Sequence, residues 1–179
     1  MDSIASRPDA ARTAPFPPHH HRLKSPGTKR IRIREASHPA DRMALETVRG
    51  AVFVKEQNVP RHLEFDGLDS SALHWLALTP EDEPVGTLRL LPSGQIGRLA
   101  VLRAYRGQGI GSRLVRHAIA GAEALGWDKV WVNAQHSRRG FYAQHGFIAI
   151  SDVFADASIL HQRMLRPLNQ MARVLRDAF

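Results

Sequence analysis

A short turn at positions 106–111 has the composition of an anion-binding site. It reads Arg-Gly-Gln-Gly-Ile-Gly. Glycine has no Cβ, so the backbone can take conformations closed to other residues and an anion can approach bare N–H groups. An apolar pattern with helical spacing begins at Ile110, and the first turn of a helix adds unpaired N–H groups and the positive end of its dipole. With Arg103 and Arg113 nearby, the turn is predicted to bind phosphate.

Two common nucleotide-binding loops do not fit this turn. A P-loop requires Gly-Lys-Ser/Thr after a first glycine and four intervening residues, and the turn contains no lysine. A dinucleotide fingerprint requires Gly-x-Gly-x-x-Gly, whereas these glycines have the spacing Gly-x-Gly-x-Gly. The phosphate is therefore expected to belong to another kind of ligand.

The elements on either side of the turn are those of an α/β protein. An apolar, branched run at 96–101 predicts a buried strand before it, and apolar residues spaced at three and four predict a helix from Ile110 to a stop at Gly126. A second buried strand at 129–134 and a short helix at about 137–145 follow. The turn thus lies between a strand and a helix.

The remaining chain supplies further strands and one long helix. Positions 30–34 alternate between basic and apolar residues, which predicts a half-exposed strand, and positions 39–54 predict a helix. The expected strands 73–78 and 85–91 form a hairpin, and the final strand region is 156–164. Positions 167–179 predict an amphipathic helix or tail, or alternatively a homodimer contact.

Composition and charge restrict the class of protein. The net charge of +8 resides in the ends, because positions 35–160 hold thirteen basic against fourteen acidic residues. Positions 1–28, rich in Pro, His and Arg, are expected to be disordered; they lack a secretory signal, which predicts a cytoplasmic protein. Without cysteine or a long apolar run, we expect no disulfide, no metal site and no membrane partner. No pattern indicates specific nucleic-acid recognition.

Two segments resemble motifs of the GNAT superfamily of N-acetyltransferases. Positions 106–111, behind the strand residues 99–101, match the superfamily's motif A, Arg/Gln-x-x-Gly-x-Gly/Ala. Positions 141–147 resemble the end of motif B, a Phe-Tyr pair followed by three residues and Gly-Phe. The resemblance covers about 30–166 and is to small bacterial single-domain members. It implies a GNAT fold, a mixed central sheet flanked by helices and split to admit acyl-CoA.

The resemblance also implies a function and a set of site residues. The function is transfer of an acetyl group from acetyl-CoA to an amine of a small molecule or peptide, by direct attack in a ternary complex. A main-chain N–H, that of Val101, would polarise the thioester carbonyl, and Tyr142 would protonate the departing thiolate. The expected coenzyme-binding residues are Leu99, Ala100, Val101, Arg106, Gly107, Gln108, Gly109, Ile110, Gly111, Ser112, Asn133 and Tyr142.

Several residues are candidates for the base that accepts the proton of the amine. Glu64 lies in an acidic run with Asp66 and Asp69, within a stretch that resembles the acceptor side of small bacterial GNAT proteins. An acidic rim there suits a cationic amine, so Glu64 is the first candidate base, with Glu56, Asp66 and His161 as alternatives. An exposed acidic loop without a catalytic role is an equal interpretation.

A second class of function remains open at this point. A non-catalytic sensor that binds acyl-CoA and docks through its basic ends would carry the same coenzyme motif. Release of coenzyme A that depends on an added amine distinguishes the enzyme from the sensor. The sequence does not identify the acceptor, since one fold serves many substrates.

Overall fold

A four-stranded antiparallel sheet forms the first half of the fold. The computed structural model describes residues 30–156 and 158–168. The strands occur in the order β1-β2-β3-β4, with the bounds Arg32–Ala36, Leu73–Leu78, Pro84–Leu90 and Ile96–Val101. Trp75 of β2 lies opposite Leu88 of β3, which confirms the predicted hairpin.

A second sheet of three strands completes the fold and leaves a gap beside the first. Its strands are β5 (Lys129–Gln135), β6 (Ile148–Asp156) and β7 (Ile159–Pro167), in the order β5-β7-β6. The two sheets meet at a parallel bridge between Gln95 and Trp131, and β4 and β5 form no ladder beyond it. The predicted split in a mixed sheet is confirmed.

Helices cover the first sheet on both faces. Trp75 and Ala77 of β2 pack in the cluster that contains α3 (Ile110–Ala124), while Leu76 and Leu78 pack with Leu45 of α1 (Arg42–Arg49). Because both faces are buried, β2 is apolar along most of its length and does not alternate with polar residues. The remaining α-helices are α2 (Arg61–Glu64) and α4 (Arg139–Ala143).

A glycine in the middle of α3 has a packing role. A Cβ at Gly121 would lie 2.8 Å from Cζ2 of Trp75, closer than real Cβ contacts. Glycine lowers the intrinsic stability of a helix interior by about 1 kcal/mol relative to alanine. Here its absence of a side chain lets α3 approach the sheet closely beside the indole.

The predicted elements occur, but some of their limits differ. The predicted helix 39–54 begins at Arg42 and continues after Arg49 as a π-helical segment, Gly50–Glu56. β6 and α2 were not predicted, because β6 is a largely exposed edge strand and α2 is a single turn.

The expectations for positions 1–28 and for 169–179 lie outside the described residues. Among the helices in the described ranges, none has the length and apolarity to cross a membrane.

Candidate active site

A cleft of about 650 Å³ occupies the gap between β4 and β5. Its walls come from β4, the glycine turn at 106–111, the first residues of α3, the π-helical segment, β5, α4 and the adjoining ends of β6 and β7. Residues far apart in the chain therefore share one concave surface, as expected of a ligand-binding site.

The glycine turn exposes backbone donors to this cleft. Gly107 and Gly109 have φ values of 75° and 73°, a region that favours glycine. Gly109 immediately precedes α3, and no side chain caps the helix. The first N–H groups of an uncapped helix have no intrahelical acceptor, so an anion can accept from them. A Cβ at either glycine would meet nothing within 4 Å, so this space is open.

The edge of β4 presents a further main-chain donor. The N–H of Leu102 donates to the carbonyl oxygen of Val85 on β3, at 2.9 Å. Adjacent residues in an extended segment direct their N–H groups to opposite sides, so the Val101 N–H is directed away from β3. That side of β4 is the cleft, which Val101 lines.

Arg106 joins the turn to the π-helical segment, which also lines the cleft. Its Nη1 and Nη2 donate to Glu56 Oε1 and Oε2 at 2.6 and 2.8 Å, and its Nε donates to the Val101 carbonyl oxygen at 2.9 Å. The hydrogen bond from Arg106 lowers the pKa of Glu56. Arg113 donates to the Ile31 carbonyl oxygen at 2.9 Å. Arg106 thus carries a partly neutralised charge beside the turn.

Tyr142 lies where its hydroxyl can reach a ligand. Its ring lines the cleft and packs edge-on against Phe141 and Phe147, with centroids 5.1 and 5.7 Å away. Burial raises the pKa of the Tyr142 phenol, so the group stays protonated at neutral pH. No described residue is a hydrogen-bond partner of the hydroxyl. A protonated phenol without a partner is suited to donate to a bound group.

Glu64 lines the cleft but is almost fully buried. Only 2% of the residue is exposed, and its Oε1 accepts a hydrogen bond from Arg49 Nε at 2.6 Å. Its Oε2 lies 3.0 Å from Arg98 Nε. Burial raises the pKa of the Glu64 carboxyl, although both arginines act in the opposite direction. The carboxylate is therefore held in place by two guanidinium groups.

Glu64 belongs to a larger set of paired charges beneath the cleft. We call this set the arginine–carboxylate network; it consists of Arg49, Glu64, Asp66, Asp69, Arg89 and Arg98. Arg89 donates to Asp66 Oδ2 at 2.7 Å and to Asp69 Oδ1 at 2.9 Å. Arg49 reaches Asp69 Oδ2 at 2.8 Å. The expectation of an open acidic rim at 64–69 is therefore wrong, because three arginines neutralise three carboxylates.

Arg98 connects this network to a bulge in β4. Thr87 pairs with Ala100 and Arg89 with Gly97, so β4 contains one extra residue between these pairs. Arg98 lies in this interval with a φ of 52°. Its guanidinium donates to the carbonyl oxygens of Leu63 and Glu64 at 2.9 and 3.0 Å, which fixes α2 against the bulge.

Of the alternative base candidates, Glu56 and His161 line the cleft, and Glu56 is paired with Arg106. The Nδ1 of His161 lies 2.9 Å from the Ile159 carbonyl oxygen. A carbonyl oxygen can only accept, so Nδ1 carries a proton, and in the neutral imidazole Nε2 is free to accept one. The ring stacks on Phe154 and lines the cleft.

The structure brings most of the predicted site residues together. Those that line the cleft are Glu64, Leu99, Ala100, Val101, Arg106, Gly107, Gly109, Ile110, Gly111, Ser112, Asn133 and Tyr142. Gln108 does not line it; its Nε2 lies 3.5 Å from the Ala104 carbonyl oxygen. Asn133 accepts a hydrogen bond from Arg163 Nε at 3.1 Å. Sequence reasoning missed Arg98 and Asp156, which also line the cleft, because no local pattern gave a signal for either residue.

Known proteins share this fold and about a third of the residues over the matched part of the chain. A family model described as Acetyltransferase (GNAT) domain matches residues 37–167. The Uncharacterized N-acetyltransferase YjcF of Bacillus subtilis is 34% identical over 123 residues, which cover 66% of this chain and 87% of that protein. A crystal structure of an acyl-CoA N-acyltransferase from Pseudomonas aeruginosa gives a TM-score of 0.68 with 34% identity, covering 76% of this chain and 99% of that one.

A more distant structure shares the fold alone. It is a GNAT family acetyltransferase from Elizabethkingia anophelis with acetyl-CoA bound, with a TM-score of 0.58 and 19% identity, covering 77% of this chain and 98% of that one. Because the family model matches most of the chain, the protein belongs to the GNAT acetyltransferase family, which is a family of acyltransferases. The predicted family and fold are confirmed.

Proposed function

We propose that this protein transfers an acetyl group from acetyl-CoA to an amine by direct attack in a ternary complex. The observation that carries the proposal is the meeting of three groups in one cleft: an uncapped helix start, the Val101 N–H and the Tyr142 hydroxyl. These groups suit the diphosphate, the thioester carbonyl and the sulfur of a coenzyme A thioester, respectively. Family membership supports acyl transfer in general.

The residues around the turn fit the donor substrate. Gly107 and Gly109 leave open space beside the N–H groups of Ile110, Gly111 and Ser112, where a diphosphate would accept hydrogen bonds. Leu99, Ala100 and Val101 on one wall and Asn133 on the other would hold the arm that carries the acetyl group, and Arg106 would flank the phosphates. The donor supplies an activated acyl carbon.

The protein would contribute positioning and two proton transfers. The amine nitrogen forms a bond to the acyl carbon, and the carbon–sulfur bond breaks. The amine proton passes to His161 Nε2, and the departing thiolate takes the Tyr142 proton. Backbone donation from Val101 stabilises the oxygen that becomes negative. Glu64 is the alternative proton acceptor, since it lines the cleft and burial raises its pKa.

Tyr142→Phe tests the proposal. The assay measures release of coenzyme A from acetyl-CoA with and without a panel of primary amines. We expect amine-dependent release from the unchanged protein and a loss of about 100-fold in kcat in the variant, the scale of a lost general acid. The KM for acetyl-CoA and the midpoint of thermal unfolding should change little, because the ring and its packing remain.

Two results would contradict the proposal. Equal turnover by Tyr142→Phe across pH would remove Tyr142 from the mechanism. Tight binding of acetyl-CoA without turnover of any amine would favour the non-catalytic sensor.

A further inference from the structure

The carboxylates that line the cleft differ in their partners. Glu56 is paired with Arg106, and Glu64 with two arginines of the arginine–carboxylate network. Asp156, at the end of β6, also lines the cleft and is exposed. Among the described residues, none forms a hydrogen bond or ion pair with the side chain of Asp156. Its negative charge is available to a ligand.

Asp156 and His161 lie on the same face of the second sheet. Asp156 pairs with Ile159, and Phe154 pairs with His161. Alternate residues of a strand share a face, and paired residues lie on the same face, so Asp156 is the diagonal neighbour of His161. Such diagonal neighbours are roughly 7–8 Å apart, and their Cβ atoms are somewhat closer. A short α,ω-diamine can place one nitrogen at each of these two side chains.

In the described part of the chain, two arginines outside the arginine–carboxylate network line the cleft, Arg106 and Arg138, and Arg138 lies just after the end of β5. Arg106 lies at the glycine turn, where the phosphates of the donor would bind. The network cannot attract a cation, because its carboxylates already accept from arginines. Within the described walls of the cleft, Asp156 is therefore the carboxylate that remains for a positively charged acceptor.

We propose that the acceptor carries a second cationic group beside the amine that reacts, as in a short aliphatic diamine or polyamine, and that Asp156 binds this second group. The inference rests on the proposed acyl transfer and names the class of its acceptor. The reacting nitrogen lies at His161, which takes its proton. The second ammonium stays protonated and forms a charge-assisted hydrogen bond with Asp156.

Matched acceptors with the same carbon chain test this assignment. The probes are 1,4-diaminobutane, 1-aminobutane and 4-aminobutanoate, which end in an ammonium, a methyl and a carboxylate group. We expect kcat/KM to be at least about 10-fold higher for the diamine than for the monoamine, and lowest for the carboxylate. The preference should shrink as salt rises, since an exposed carboxylate is screened.

Asp156→Asn should remove the preference. The ratio of kcat/KM between diamine and monoamine should fall to near one, through a rise in KM for the diamine, with kcat changed less than about twofold. Asp152→Asn is the matched control, because Asp152 is exposed on the same strand and does not line the cleft. The control should keep the preference of the unchanged protein, and both variants should unfold at its midpoint.

The outcomes separate this inference from the proposed function. Turnover of diamine and monoamine with equal kcat/KM, or an unchanged ratio in Asp156→Asn, would overturn the role of Asp156 and leave amine acylation intact. Binding of acetyl-CoA without amine-dependent release of coenzyme A, on these probes and on the wider amine panel, would overturn the proposed function and the inference with it.

Discussion

The glycine turn and the arginine–carboxylate network differ in whether their polar groups have partners within the protein. The turn leaves N–H groups at the start of α3 unpaired and faces open space. In the network, Arg49, Glu64 and Arg89 are each no more than 3% exposed, and each is paired. One region presents unsatisfied donors to a ligand, and the other satisfies its charges internally.

The difference shows how each of these two regions serves binding. Unpaired backbone donors at the turn are tolerated because solvent reaches them until an anion replaces it. Buried charges are tolerated only with close partners, since an unpaired ion loses several kcal/mol of hydration. The network therefore holds α2 and β4 in fixed positions, and the turn supplies the donors for recognition.

The largest predicted effect is on the network. Arg49→Ala leaves Glu64 and Asp69 without one of their arginines, and breaking a buried pair costs about 3–5 kcal/mol. For a domain of this size we expect the midpoint of thermal unfolding to fall by roughly 10 °C. Arg42→Ala is the control, because Arg42 forms an exposed pair with Glu46 and its loss should leave the midpoint nearly unchanged.

The unfolding midpoint and kcat of Glu64→Gln distinguish the two candidate bases, Glu64 and His161. Glu64→Gln should lower the unfolding midpoint and retain much of kcat if Glu64 serves the network. A large loss of kcat without a change in the midpoint would instead make Glu64 the proton acceptor. An unchanged midpoint in Arg49→Ala would show that the network does not stabilise the fold.

The next effect concerns the turn. Gly109→Val places a β-branched residue at a φ of 73°, which is strained, and fills the space where phosphate would bind. We expect the Kd for acetyl-CoA, measured by calorimetry, to rise at least about 100-fold. Gly50→Val is the matched control, since Gly50 has a helical φ of −62° and a Cβ there would meet nothing within 4 Å. Equal affinities in the two variants would exclude the turn from coenzyme binding.

The smallest effect concerns the ion pair between Arg106 of the turn and Glu56 of the π-helical segment. Glu56→Gln removes the carboxylate that neutralises Arg106, so the Kd for acetyl-CoA should fall by about two- to fivefold. The affinity should also depend more strongly on salt. Both side chains of the pair are partly exposed, so the unfolding midpoint should change little. A weaker affinity would mean that Glu56 positions Arg106 for the phosphates.

Local patterns in the sequence predicted much of the fold. The strand before the turn, the helix from Ile110 and the hairpin depend on periodicity and on glycine, which act over a few residues. β6 was not predicted because its residues are largely exposed, so burial imposes no alternating pattern of apolar and polar residues on it. The π-helical continuation of α1 has no distinct composition.

The sequence by itself determined the family motif, the glycine turn and the place of Tyr142 between two aromatic residues. Only the tertiary structure decided which charges are free. Glu64 lies in a local acidic run, which predicts an available carboxylate. Its partners are Arg49 and Arg98, 15 and 34 residues away. No local sequence pattern marks Asp156, yet it lines the cleft and its side chain has no partner among the described residues. Backbone conformation depends on neighbours in sequence, whereas the charge of a site depends on which distant side chains the fold brings together.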